Sequence, residues 1–244
     1  IYKIREEERA LAGQIIKRDE LKPYENILPK LVVLYENRIP VNQERYAFLE
    51  AGYYGQEMLR HLRRYTGFVA MADTASAEAL KETGEQLAKG MAGFYKDFDA
   101  QLEEQVVQAV LPIYLAQINT APLPEIIAEL QEMDAEDLAD FVEDMFEDNP
   151  VLQEDWANKL ANEPAKAAKA LKKSDAFKLT DAMLSHYFEV LNPAAAQLDS
   201  EINKLQAKYI EGLKLAFPKQ SFYPDANSSL RVSYGKIKPY QPAD

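Results

Sequence analysis

Cysteine is absent from all 244 residues, and only two histidines, His61 and His186, occur. Disulfides, thiolate nucleophiles and cysteine-bound zinc are thereby excluded, and two imidazoles are too few for most histidine metal sites. This usage suits periplasm and cytoplasm alike. No apolar run approaches the roughly 18–20 residues that span a bilayer, and no signal peptide is visible. Lysine and arginine are missing between Lys96 and Lys159, a stretch that holds 17 acids; the rest of the chain is then at +5 against a total of −12. Such a balance argues against nucleic acid, whose binding depends on neutralising phosphates. Glycine is scarce, nine in all, with none between Gly93 and Gly212.

What is present is helical periodicity, enough for a mainly α, multi-helix domain of about 8–10 helices. A charged first segment, Tyr2–Glu20, places Ile4, Leu11, Ile15 and Ile16 on one side. The apolar run Leu31–Tyr35 is expected to stop at Pro40, with Asn42 capping a long helix to about Thr66. Thr74 is expected to cap another helix, which passes Gly84, Gly90 and Gly93 and reaches Pro112, where a kink or break should fall. Pro122 and Pro124 mark a loop and a new start. Asp134 caps a short amphipathic helix through Leu138, Phe141, Val142, Met145 and Phe146. Asn149-Pro150 reads as a turn, Pro164 as the first turn of a helix, and Ser174 or Asp175 as the next opening. Leu198, Ile202, Leu205, Tyr209 and Leu213 follow helical spacing up to Pro218. No repeat of solenoid period occurs.

Several constellations invite a chemical reading, and most fail on spacing. Asp134, Glu136, Asp137, Asp140, Glu143, Asp144, Glu147 and Asp148 are dense, yet a calcium loop needs its central glycine; a solvated acidic face is expected. A di-iron bundle needs Glu-x-x-His pairs. Here Glu57 precedes His61 by four, and His186 precedes Glu189. Ser185-His186 cannot be a dyad, because successive helical residues do not face each other. Ser233 and Lys236 satisfy Ser-x-x-Lys, but on a strand they would project to opposite faces. His61 lies in Arg60-His61-Leu62-Arg63-Arg64, where a cationic role at a helix C-terminus or on the surface is expected; the alternative is that the cluster meets an acidic peptide or a partner. The aromatics Tyr46, Phe48, Tyr53 and Tyr54, and Phe94, Tyr95 and Phe98, are expected to pack between long helices.

The last thirty residues depart from this pattern. Leu230, Val232 and Tyr234 alternate with Arg231 and Ser233, the period of a strand. A lone strand lacks a pairing partner, so it is expected to belong to a second domain. The chain also begins at Ile1, and both ends suggest a piece of something larger.

Phe222-Tyr223-Pro224-Asp225-Ala226-Asn227-Ser228-Ser229-Leu230-Arg231, followed by Val232-Ser233-Tyr234-Gly235-Lys236, resembles serine peptidase family 46, the dipeptidyl aminopeptidases. There F-Y-P-D-A-N-S-T-L-R precedes a V-T-Y-G-like strand, and only threonine-to-serine changes separate the two. Glu44-Arg45-Tyr46-Ala47-Phe48-Leu49-Glu50-Ala51-Gly52 and Phe94-Tyr95-Lys96-Asp97-Phe98-Asp99 are similar, less specifically, to stretches of that family's helical domain.

The resemblance implies a chymotrypsin-like double barrel carrying a Ser-His-Asp triad, with a large helical insertion capping its cleft. Residues 1–220 would be that cap, with a break near 112–124 left open. Residues 221–244 would be the extended return, the strand Leu230–Ile237 re-entering the barrel. The triad's G-N-S-G-S-P-like motif does not occur in this chain. The resemblance therefore assigns it no catalytic residue, metal or cofactor, and it singles out no substrate-binding residue. Its implied partners are the peptide substrate and the absent barrel, with a homodimeric parent allowed, no nucleic acid and no membrane span; its implied location is periplasmic or secreted. The rival readings are a free-standing acidic helical scaffold or protein-binding module and, behind it, a metal-binding bundle.

Overall fold

The computed structural model describes residues 2–222 and 234–236. Among them all regular structure is helical, in agreement with the mainly α expectation. The helices are α1 (Tyr2–Lys17), α2 (Ile27–Ala47), α3 (Glu57–Leu62), α4 (Thr66–Met71), α5 (Ala77–Asp97), α6 (Ala100–Gln117), α7 (Glu125–Gln131), α8 (Ala135–Glu147), α9 (Trp156–Asn162), α10 (Pro164–Lys173), α11 (Asp175–Ser185) and α12 (Asn192–Ala216). Two π-helical turns, Phe48–Tyr54 after α2 and His186–Leu191 between α11 and α12, widen otherwise continuous helices. The strand expected over Leu230–Ile237 lies outside the described residues, apart from Tyr234–Lys236, which are exposed.

The chain forms two compact units, residues 1–28 with 206–244, and residues 29–205. In the first, Leu11, Leu21, Leu213 and Ala216 are buried together, flanked by Ile15, Tyr24, Tyr209, Phe217 and Phe222. Ile16, expected on the same side as Leu11 and Ile15, is instead 86% exposed, because the buried face of α1 is narrower than its apolar content. Gly212 lets α12 lie against the Tyr24 ring; a Cβ there would come within 2.9 Å of it. Arg18 Nη1 donates to the carbonyls of Leu215 (3.1 Å) and Ala216 (3.2 Å), closing the end of α12, where carbonyls lack helical partners.

The second unit is built round a contiguous core including Trp156, Tyr65, Tyr114, Phe48, Phe68, Leu62 and Met91. Its closest helix pair is α5 with α9: a Cβ on Gly84 would stand 2.2 Å from the Leu160 carbonyl oxygen. Burial of the apolar side chains of this core, at about 1.5–3 kcal/mol each, is what holds the short helices in place.

Most start signals lie where the sequence puts them. Asp134 Oδ1 accepts from the amides of Glu136 (2.9 Å) and Asp137 (3.0 Å), Ser174 Oγ accepts from Phe177, Pro164 opens α10, and α7 begins after Pro124. Prolines mislead in two places. α2 runs through Pro40 and α6 through Pro112, so neither residue ends a helix. Both sit on exposed faces, where water can take the carbonyl that proline leaves unbonded. Consequently no helix spans Asn42 to Thr66, and Asn42 is interior to α2. The break expected at Pro112 falls instead at Phe98-Asp99, where Asp99 caps α6 by accepting from Leu102 N (3.0 Å). The cap of α5 is Ser76, not Thr74.

Candidate functional site

Helix α3 is short, and it is positioned from outside. Gln56 precedes it in extended conformation and ties itself back through Nε2 to the Ala51 carbonyl (3.0 Å). From α6, the buried carboxylate of Glu103 accepts from Met58 N (2.8 Å) and so supplies a missing partner at the helix start. Burial pushes the Glu103 carboxyl up, and that Met58 amide restrains the rise.

So anchored, the run Arg60-His61-Leu62-Arg63-Arg64 fans out. Arg63 Nη1 donates to the Tyr53 hydroxyl (2.7 Å), and its guanidinium lies 5.3 Å from the Tyr53 ring centre and 5.7 Å from that of Phe188. These contacts join the two π-helical turns at the surface. Beneath, Phe48 stacks on Tyr187 (4.3 Å), and Gly52 leaves room for Met183. Such widened turns are rare and are frequent at functional sites.

Arg60 and Arg64 point elsewhere, into a groove of about 300 Å³ between α3 and the end of α5. Its floor is a stack of rings: His61 on Phe94 (3.7 Å between centroids) and Phe94 on Phe98 (4.5 Å). Arg64 extends over Gly90, where a Cβ would approach Nη2 to 2.8 Å.

His61 itself is 6% exposed, which corrects the expectation of a cation at the surface. Its Nε2 is 3.0 Å from the Tyr65 hydroxyl, which also receives Trp156 Nε1–H (3.4 Å) and lies 2.9 Å from Met91 Sδ. An imidazole nitrogen is a better acceptor than a thioether. The Tyr65 proton therefore goes to Nε2, leaving the imidazole proton on Nδ1. Burial, reinforced by Arg64, lowers the His61 pKa to about 4, so the ring is neutral near pH 7.

The second histidine belongs to a cluster that spacing in the sequence does not reveal. Glu44, in α2, accepts from Thr120 N (3.0 Å) and Thr120 Oγ1 (2.8 Å), and its Oε2 is 4.0 Å from His186 Nε2. Tyr114 adds a buried hydroxyl, and neither it nor either His186 nitrogen has a hydrogen-bond partner. Burial lowers the His186 pKa against the opposing pull of Glu44, and burial raises that of Tyr114, with Glu44 adding to the rise. The next peptide bond, Ala121–Pro122, is cis.

The remaining candidates are scattered. Glu57 pairs with Arg60 (3.5 Å) and lines the groove with His61; Glu189 is exposed, and its charge adds to the burial that raises the Asp181 carboxyl. Ser185 makes no hydrogen bond to His186. All eight acids of the Asp134–Asp148 block are exposed, as a solvated face should be. Of the aromatics, Phe48 is core, Phe94 and Phe98 floor the groove, and Tyr46 and Tyr54 are more than 60% exposed. Ser233 lies outside the described residues. Among the described residues no three acids or histidines converge where a metal could sit, and no helix is long and apolar enough to cross a membrane.

The described residues thus form a helical domain with two buried histidines, neither hydrogen-bonded to a serine. Its lineage is hydrolytic: residues 1–244 match the Peptidase S46 family, and the chain belongs to that family. It is 25% identical over 240 residues to the Asp/Glu-specific dipeptidyl-peptidase of Flavobacterium psychrophilum, a match covering 97% of this chain and 32% of that protein. It is 28% identical over 246 residues to dipeptidyl-peptidase 7 of Porphyromonas gingivalis, covering 98% of this chain and 33% of that protein. The chain therefore spans about a third of the length of these curated relatives.

Proposed function

We propose that this chain is the helical cap domain of a serine-type dipeptidyl aminopeptidase, which releases dipeptides from peptide N-termini through an acyl-enzyme. The observation that carries this is the family match over the whole chain, to relatives three times as long named as dipeptidyl-peptidases. The absence of any serine–histidine hydrogen bond among the described residues agrees with a triad housed elsewhere in the parent, in a barrel domain. A parent of this kind works in the periplasm or outside the cell.

The physical task of such a cap is to fix where the substrate ends. An exopeptidase that cuts after the second residue must hold the free α-ammonium at a set distance from its nucleophile. Binding remote from the scissile bond is thereby converted into orientation at it. A rigid helical body suits that task better than loops, since a misplacement of about 1 Å can cost on the order of a hundredfold in rate. By this reading the chain alone hydrolyses nothing. Incubating it and its full-length parent with a fluorophosphonate serine probe and a dipeptidyl-coumarin substrate tests the proposal. Labelling and coumarin release are expected from the parent only; stoichiometric labelling of this chain overturns the reading.

A further inference from the structure

The groove beside α3 holds two opposite charges that pair with nothing. Arg64 and Asp97 both line it, and neither has an ion-pair partner within 4.0 Å among the described residues. Arg64 is contributed by the turn that follows α3, and Asp97 by the end of α5, so the two charges come from different walls. Arg60 stands with Arg64 on the first wall, its only salt bridge an exposed 3.5 Å contact to Glu57. Between the walls lies the ring stack of His61, Phe94 and Phe98, which is uncharged because His61 is neutral. The α5 wall has been stripped of side chains where it matters. Gly90 admits the Arg64 guanidinium, and Gly93 lines the groove with no Cβ of its own.

This combination specifies a ligand more narrowly than a basic patch would. A guanidinium matches a carboxylate in planar, two-pronged fashion, while a carboxylate beside aromatic faces suits an ammonium. The volume, about 300 Å³, is at the lower end of the range for small-molecule sites, roughly 300–1,000 Å³. We propose that the groove binds free dipeptides as zwitterions, the α-carboxylate on Arg60 and Arg64, the α-ammonium on Asp97, and an aromatic or apolar side chain on the stacked floor. The choice of dipeptides among short peptides rests on the reading above, since dipeptides are what the parent would release. The groove is then a product-binding site on the cap, occupied as dipeptide accumulates.

The test uses this chain and alanyl-phenylalanine in three forms: free, C-terminally amidated and N-acetylated. Amide shifts of Gly90 and Gly93 in proton–nitrogen NMR spectra report occupancy. The free dipeptide is expected to shift both resonances saturably, and either blocked form to bind at least tenfold more weakly. Arg64→Ala and Asp97→Asn should each weaken the free form about tenfold. Gly90→Ala, which displaces the guanidinium without removing it, should do so several-fold while leaving the amidated form unchanged. The comparison of blocked and free ligands on the unaltered chain needs no variant to fold. No saturable shift, or equal binding of free and amidated dipeptide, overturns the proposal. Hydrolysis plays no part in this assay. A chain that binds dipeptide while its parent fails to release any would sink the peptidase reading and leave the groove standing, and the reverse would sink the groove alone.

Discussion

His186 Nε2 stands 4.0 Å from Glu44 Oε2 with both side chains inside the protein, while both oxygens of that carboxylate are engaged by Thr120. Glu44 thus joins α2 to the loop after α6 and faces the π-helical turn that carries His186. Replacing it by alanine leaves the Thr120 amide and hydroxyl without their acceptor. Each unsatisfied group costs about 1–3 kcal/mol, so Glu44→Ala should lower the unfolding free energy by about 2–4 kcal/mol. Glu44→Gln, which keeps one acceptor oxygen, should cost less. Urea denaturation at neutral pH measures both.

The buried His61 ring makes stability depend on pH in a set direction. Its pKa is near 6.5 in the unfolded chain and about 4 in the folded one. Below pH 6.5 the unfolded state therefore binds the extra proton, and stability falls as pH drops from 6.5 towards 4. At 1.36 kcal/mol per pH unit the full loss is about 3 kcal/mol. Glu103, whose carboxyl is raised, acts in the opposite sense, so the contribution is best isolated by difference. His61→Gln keeps an acceptor for Tyr65 and does not titrate. The gap between wild type and this variant should narrow steadily between pH 6.5 and 4, and a constant gap would refute the assignment.

Two glycine substitutions should have opposite signs. Gly13 is within α1 with nothing closer than 4 Å to a new Cβ, so Gly13→Ala should stabilise by about 0.5–1 kcal/mol through helix propensity. Gly84→Ala gains the same propensity but drives its methyl to 2.2 Å from the Leu160 carbonyl, a backbone atom that no rotamer change can move. Overpacking of this kind costs about 1–3 kcal/mol or more. Thermal denaturation of the two variants should shift in opposite directions.

The Arg63 contacts are exposed and modest. Arg63→Lys removes the flat guanidinium between Tyr53 and Phe188 but keeps the charge, and a lysine cannot reproduce a stacked, donating geometry. A loss of about 0.5–1 kcal/mol is expected, with Tyr53 fluorescence or ring-proton shifts reporting the altered packing. An unchanged Tyr53 environment would count against the contact.

Helix starts were legible because they are local chemistry. Asp134, Ser174 and Pro164 act through backbone groups two or three residues away, and the spacing of Leu198 to Leu213 reflects a face that packing then buries. Pro40 and Pro112 misled because their effect depends on which face of the helix meets water, a tertiary fact. The same holds for the site. The basic run around His61 was visible, but whether His61 pointed outward or inward was not, since Phe94 and Tyr65 capture it from outside the helix turn. The link between Glu44 and Thr120 crosses 76 residues, and nothing in either neighbourhood signals the other. Membership of the family was legible for a different reason: it rests on a run of specific residues, Phe222–Lys236, most of which lie outside the described residues.

The two π-helical turns have a consequence for insertions and deletions. A helix that takes one extra residue per turn shifts the angular phase of everything beyond it by about 100°, the rotation of a single α-helical residue. Two such shifts are held face to face by Phe48 and Tyr187. Removing one residue from either turn would restore ordinary winding there and swing Arg63 or Phe188 out of reach of its partner. Changes of length in this domain are therefore tolerable in its loops, whereas at residues 48–54 and 186–191 the two helices can change length only together.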